Sequence, residues 1–258
     1  MKPKTTDLEL STAEAENGGR VILVPTPIGN LGDITLRALE ALRGADRIAC
    51  EDTRHSSRLL NHYEISGKPL VALHDHNEAR RAPELVQAAL AGETIAFISD
   101  AGMPGVSDPG FRLVRECHEA GVPVDVLPGP SAVLTALIAS GLPCHAFRFG
   151  GFLPMKGGKR RTALSDALST CETAVFFESP HRIAGTLGML AEFAPDAPTC
   201  VARELTKKFE TIHRGSAKEL AEHFASHPAK GEIVLLFHAG DSWEHGGTRS
   251  AHTCEAGD

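Results

Sequence analysis

No run of apolar residues in this chain approaches the roughly 18 that a membrane span requires, which excludes an integral helical membrane protein. Residues 1–20 are polar and acidic and lack the apolar core of a secretory leader, so none is expected. The six cysteines, at positions 50, 117, 144, 171, 200 and 254, form no CxxC pair and no tight framework. That spacing argues against a disulfide-built scaffold and fits reduced thiols in a cytosol. The nucleotide and hydrolase signatures are missing too. There is no GxGxxG after the first strand, no GxxxxGK(S/T), no GxSxG and no HExxH. A standard dinucleotide fingerprint, a Walker-type NTPase, a nucleophile-elbow hydrolase and a zinc peptidase are thereby set aside. Gly157-Gly158-Lys159-Arg160 resembles a phosphate loop only superficially.

What is present is an ordinary globular composition. The chain is 42% hydrophobic and 23% charged over 258 residues, which suits one large domain or two small ones and not a disordered chain. The net charge of −7 speaks weakly against a nucleic-acid partner. The distribution of that charge weakens the objection. Residues 20–150 carry twelve Lys/Arg against fifteen Asp/Glu, whereas residues 151–237 carry eleven against ten. The second half can therefore still offer a local basic face. Residues 1–19 and 239–258 lack apolar periodicity and read as disordered tails. His245, His252 and Cys254 in the latter show no metal-ligand spacing.

Between the tails, strands alternate with helices. Apolar strands are expected at 20–24, 47–50, 70–73, 94–99 and 122–127. The run Thr94–Ser99 is apolar throughout, as in a parallel sheet buried on both faces. Asp33 reads as the N-cap of a helix over 34–43, and Pro83 as the first-turn proline of a helix ending at Gly92. Further helices are expected at 110–120 and 131–140, each stopped by a glycine. This βαβ alternation predicts an α/β unit over 20–143 with a mostly parallel sheet. Over 144–238 the order is strand (146–151), basic helix (159–169), strand (173–178), helix (180–193), two strands (199–204 and 209–214), helix (216–226) and strand (231–238). Ser179 and Pro180 read as N-cap and first residue of the helix over 180–193. Successive strands at 199–214 suggest an antiparallel pair, hence an α+β unit with a mixed sheet.

Ser99–Gly110 reads SDAGMPGVSDPG and follows a buried strand. In open α/β sheets the carboxyl ends of the strands are where ligands bind, and a twelve-residue crossover is long enough to be functional. Its small residues let backbone amides approach a ligand, and Asp100 can accept hydrogen bonds from ribose hydroxyls or an amine. Pro128-Gly129-Pro130-Ser131-Ala132 is a second such loop, in which Ser131 serves as helix cap or ligand contact. Pro25–Asn30 is a third. Polar clusters follow two other strands: Glu51-Asp52-Thr53-Arg54-His55 and His74-Asp75-His76-Asn77-Glu78. Both offer proton acceptors or sugar contacts. His74 and His76 would share a face on a strand, but no further ligand spacing supports a metal. Phe152–Arg161 is a basic stretch suited to phosphate contacts, or simply a solvated helix start.

In order along the chain stand PTPIGNLGDIT, EDTRH, ALHDHNE, ISDAGMPGVSDPG, LPGPSA, GFLP followed by KxxKRR, FFESPHR, ARELTKKFE and KGEIVL. This series closely resembles the bacterial 16S ribosomal RNA cytidine 2′-O-methyltransferase family, part of the tetrapyrrole-methylase superfamily of class III S-adenosylmethionine-dependent enzymes. The resemblance covers about four-fifths of the chain. It implies two α/β domains with S-adenosylmethionine folded between them, a homodimer, a cytoplasmic location, and 16S rRNA of the small subunit as partner. By position it assigns cofactor contacts to Pro25, Asp100, Ala101, Gly102, Ser131, Ala132, Glu178 and Ala202. Methyl transfer to a ribose hydroxyl needs in-line placement and no metal, and positioning can contribute on the order of 7–11 kcal/mol. Asp52, His76 and Glu78 are the candidates for taking the hydroxyl proton. Lys156, Lys159, Arg160 and Arg161 are the candidates for holding RNA phosphates around a nucleotide turned out of its stack. Two other readings stay open: methylation of a tetrapyrrole precursor, and a non-catalytic ribosome-assembly factor that binds RNA.

Overall fold

The structure is a computed structural model that describes residues 18–240. The expectations for the two terminal segments, His245, His252 and Cys254 included, fall almost wholly outside those residues. Among the described residues no helix is long and apolar enough to cross a membrane. Cys50, Cys117, Cys144 and Cys200 are free thiols. Cys171 is disulfide-bonded, a departure from the reduced state expected for all six.

The first sheet holds β1 (Arg20–Leu23), β2 (Arg47–Cys50), β3 (Leu70–Ala72), β4 (Thr94–Ile98) and β5 (Val124–Val126) in the order β3-β2-β4-β1-β5. Every pairing is parallel. The period of two explains the unbroken apolar run of β4. Ile95 and Phe97 point into one core with Leu85, Leu113 and Val122. Ala96 and Ile98 point into another with Leu42, Leu60 and Ile65. Connecting these strands are α1 (Leu36–Gly44), α2 (Thr53–His62), α3 (Glu78–Leu90) and α4 (Phe111–Ala120).

Local chemistry corrected several expected boundaries. Thr35, not Asp33, caps α1 by accepting from the Ala38 amide, and Asp33 closes a single 3-10 turn over Leu31–Asp33. Pro83 lies inside α3 and not in its first turn, because the helix begins five residues earlier at Glu78. Residues 74–77 are a turn, so His74 and His76 do not share a strand face.

The second sheet holds β6 (Phe147–Phe152), β7 (Thr173–Glu178), β8 (Pro198–Arg203), β9 (Thr211–Ser216) and β10 (Ile233–His238) in the order β6-β7-β10-β8-β9. β6 pairs parallel with β7, and the other pairings are antiparallel, including the expected β8–β9 pair. One face packs on α6 (Gly157–Leu168), α7 (Ile183–Phe193) and α8 (Ala217–Ser226) through Leu164, Leu187, Leu220 and Leu235. Residues 179–182 form a turn before α7, whose cap is Arg182, so Ser179 and Pro180 do not open that helix.

The opposite face is covered by α5 (Ala132–Ser140), the last helix of the first half. Its Val133, Ala136 and Leu137 pack with Val175, Cys200 and Leu236, and Ile28 joins them. α5 thus ties the first half of the chain to the core of the second sheet, and a cleft beside it is lined from both halves.

Candidate functional site

Two sets of strand ends meet at the cleft. From the first sheet come the loops after β2 and β4 and the start of α5. From the second come the ends of β7 and β8 and the start of β10. The cavity measures about 420 Å³, within the roughly 300–1,000 Å³ of small-molecule sites.

Asp100, Ala101 and Gly102 line it, with Ser131, Ala132, Glu178 and Ala202. Seven of the eight positions assigned from the resemblance are therefore brought together. Pro25 is the exception. It is absent from the lining because its ring packs against Gly129, where a Cβ would stand 2.6 Å from Pro25 Cβ. Its neighbour Thr26 instead pins the central loop, exchanging backbone hydrogen bonds of 3.0 Å with Gly102 in both directions. Gly102 sits at φ +80°. That left-handed conformation, and a Cβ that would lie 3.2 Å from Ile28 Cγ2, require glycine. Ser131 caps α5 through the Leu134 amide, one of the two roles its position allowed.

Glu178 ends β7 with its carboxylate fully buried. It pairs with Arg182 at 2.5 Å, accepts from the Thr186 hydroxyl at 2.7 Å and faces Arg160 at 3.9 Å. That engagement on the helix side leaves the residue to shape the cleft wall, not to present a free carboxylate to a ligand.

The three proton-acceptor candidates are not at the cavity lining. Glu78 accepts from the amides of Gly110, Arg112 and Leu113 at 2.9, 3.1 and 3.3 Å. It satisfies the free N–H groups at the start of α4 and is removed as a candidate. Asp52 caps α2 through the Arg54 amide, and the Arg54 side chain holds its carboxyl below the usual range. That capping role removes it as well. His76 is exposed beside His74.

Besides Glu178, and Glu232, which pairs with Lys207 at 3.0 Å, the carboxylates that line the cavity are Glu51, Asp100 and Asp108. Asp52 N donates to Asp100 Oδ1 at 3.2 Å, and Asp100 N to Glu51 Oε2 at 3.4 Å. Burial raises Glu51 above its ordinary value. Burial first, and then the Glu51 charge, push Asp108 up to about 6. Sequence reasoning passed over Glu51 and Asp108 although both lie in segments it singled out. Their signal was position at a strand end and in the central loop. Among the described residues no group of His, Cys, Asp and Glu is arranged to hold a metal.

The basic stretch divides in two. Lys156 and Lys159 are exposed. Arg161 pairs with Glu192 at 2.5 Å and stacks on Phe193. Arg160 is turned inward to Glu178 with its Nε buried, because an unpaired carboxylate there would be costly. It is thus not an outward phosphate contact. Phe152 lines the cavity and is 64% exposed at its mouth.

The family of tetrapyrrole (corrin/porphyrin) methylases matches residues 20–221. The chain belongs to that family. A relative from Vibrio cholerae, ribosomal RNA small subunit methyltransferase I, is 51% identical over 86% of this chain and 78% of its own. Diphthine synthase has the same fold, with TM-score 0.67 and 15% identity over 86% of this chain and 90% of that one. So does the uroporphyrin-III C-methyltransferase of Thermus thermophilus complexed with S-adenosylhomocysteine, with TM-score 0.58 and 23% identity over 84% and 97%.

S-adenosylmethionine is the cofactor of this family of methyltransferases, and the cleft fits it. Gly102 lets backbone approach a ligand closely, and the N-terminus of α5 adds free amides at Ala132 and Val133. Carboxylates at Asp100 and Glu51 suit an ammonium or a sulfonium.

Proposed function

We propose that this chain transfers a methyl group from S-adenosylmethionine to the ribose 2′-hydroxyl of a cytidine in the decoding region of 16S ribosomal RNA. The observation that carries the reading is the cleft itself: the motif residues of one family converge there from both sheets, in a chain 51% identical to a ribosomal RNA small subunit methyltransferase I. The bound cofactor supplies an electrophilic methyl on a sulfonium. The chain supplies placement. The loop fixed by Thr26 and Gly102, the cap at Ser131 and the wall at Ala202 hold one partner rigid, while the open mouth admits the other.

An RNA substrate is supported by what surrounds that mouth. Phe152 is an exposed aromatic on which an unstacked base can rest. Lys156 and Lys159, a few residues on, are exposed cations able to meet flanking phosphates. The reading places the protein in the cytoplasm with its ribosomal substrate, as a homodimer. Leu134 and Ile138, one turn apart on α5 and 53% and 70% exposed, are apolar side chains that a second copy would cover.

The test is labelled-methyl transfer to small ribosomal subunits, with a tetrapyrrole precursor as the competing acceptor. A 2′-O-methyl group removes the hydroxyl that attacks in alkaline cleavage, so the product should carry one new alkali-resistant position. A substrate with 2′-deoxycytidine at that position should accept nothing. Transfer to the deoxy substrate moves the reaction to the base. Transfer only to the tetrapyrrole replaces the substrate class, and cofactor binding without transfer leaves an RNA-binding factor.

A further inference from the structure

We propose that Asp108 accepts the proton of the substrate hydroxyl, with the Glu51 carboxylate as a like-charged neighbour in the same cavity lining. The inference rests on the ribose reading above and names the residue that the sequence left open.

Geometry selects Asp108 among the five lining carboxylates: Glu178 is held by Arg182 and Thr186, and Glu232 pairs with Lys207 at 3.0 Å. Asp100 already accepts from the Asp52 amide, and Glu51 from the Asp100 amide. Asp108 accepts no backbone donor and forms no ion pair among the described residues. Its loop is built to present it. Gly105 N donates to Pro109 O at 3.0 Å and closes residues 105–109 into a tight turn. Ser107, a non-glycine residue at φ +64°, bends the chain immediately before Asp108. Such backbone strain persists only where the surrounding structure enforces it. Below lies Ser99, 1% exposed, whose hydroxyl has no hydrogen-bond partner of standard geometry and acts on the Asp108 carboxyl. A hydroxyl directed at the carboxyl favours its ionised form, the one able to take a proton.

The surroundings suit the task. Glu51, Asp100 and Asp75 are the charged groups that act on Asp108, and all three are acidic, while His74 acts on Glu51. Among the described residues no cation pairs with the carboxylate, and its like-charged neighbours raise its affinity for a proton. In the step itself the hydroxyl oxygen bonds to the methyl carbon, and the carbon–sulfur electron pair stays on sulfur. The hydroxyl proton passes to an Asp108 carboxylate oxygen, and the protonated acid returns it to solvent. Charge and atoms balance without another reactant.

A raised carboxyl is ionised only above its own value, so the rate should climb as pH rises through about 6 and then level. Asp108→Asn should lower kcat by about 100-fold or more and abolish that limb. S-adenosylmethionine affinity by calorimetry should stay unchanged. Asp108→Glu should recover part of the rate. Glu51→Gln should move the limb to lower pH, and the 13C signal of the Asp108 carboxyl should move with it. An Asp108→Asn enzyme with wild-type kcat and the same limb overturns the assignment while leaving the ribose reading intact. A wild-type enzyme that spares the 2′-hydroxyl overturns both.

Discussion

Thr26 and Gly102 exchange two backbone hydrogen bonds of 3.0 Å and so join the loop after β1 to the loop after β4. The bridge fixes the floor of the cleft from outside the sheet. Gly102→Val would force a β-branched residue into φ +80° and press its Cβ against Ile28. Strain of this kind costs on the order of 1–3 kcal/mol. The protein should remain folded by circular dichroism with a lowered melting temperature. Calorimetry should show no S-adenosylmethionine binding, because the same side chain fills the place where backbone meets ligand. Wild-type affinity in that variant removes the loop from the cofactor site.

Glu78 is predicted to matter for stability and not for proton transfer. Its Oε1 accepts three amides at the start of α4. Glu78→Ala leaves them unsatisfied, at a cost of roughly 1–3 kcal/mol. Glu78→Gln keeps an acceptor and should lose less. Urea unfolding measures both. The pH dependence of kcat should be the same in Glu78→Gln and wild type, which separates this role from that of a catalytic base.

Most strands were legible in the sequence because buried apolar runs such as Thr94–Ile98 and glycine stops such as Gly121 and Gly141 are local signals. The errors came where local signals compete. Asp33 and Thr35 are both capping types two residues apart, and the turn at Leu31–Asp33 decided between them. Ser179-Pro180 has the composition of a helix start, yet Glu178 draws Arg182 back toward the sheet and the chain turns first. The central loop stood out in the sequence by its glycines, and it lines the cleft. The partners of Glu78 and the places of Glu51 and Asp108 in the cavity wall did not stand out. They depend on which distant segment each carboxylate meets: Gly110 lies 32 residues beyond Glu78, and Asp100 lies 49 beyond Glu51.

The buried triad of Glu178, Arg182 and Arg160 yields a different signature. Glu178→Ala strands two arginines that are largely withdrawn from water. Breaking a buried pair in this way costs about 3–5 kcal/mol. The expected result is a large loss of stability in denaturant titrations. Arg160→Gln should also destabilise, whereas an outward phosphate contact would show no stability change.

RNA binding is predicted to draw on Lys156 and Lys159 and much less on Arg160 and Arg161. The two lysines are exposed, Lys156 immediately before α6 and Lys159 in its first turn. Arg161 is held by Glu192 and the Phe193 ring, and Arg160 by Glu178. Removing one lysine–phosphate pairing should reduce the salt slope of binding by about 0.7–0.9. A Lys156→Gln, Lys159→Gln double variant should therefore bind small-subunit RNA more weakly and with a shallower salt dependence. Its calorimetric affinity for S-adenosylmethionine should not change, since neither lysine lines the cleft. Phe152→Ala is the informative companion. Stacking of a base on an aromatic is worth roughly 1–3 kcal/mol and is insensitive to salt. That variant should lose affinity with an unaltered slope. If the lysine variant keeps both its affinity and its slope, the basic stretch is only a solvated helix start, and the RNA must approach the cleft from another side.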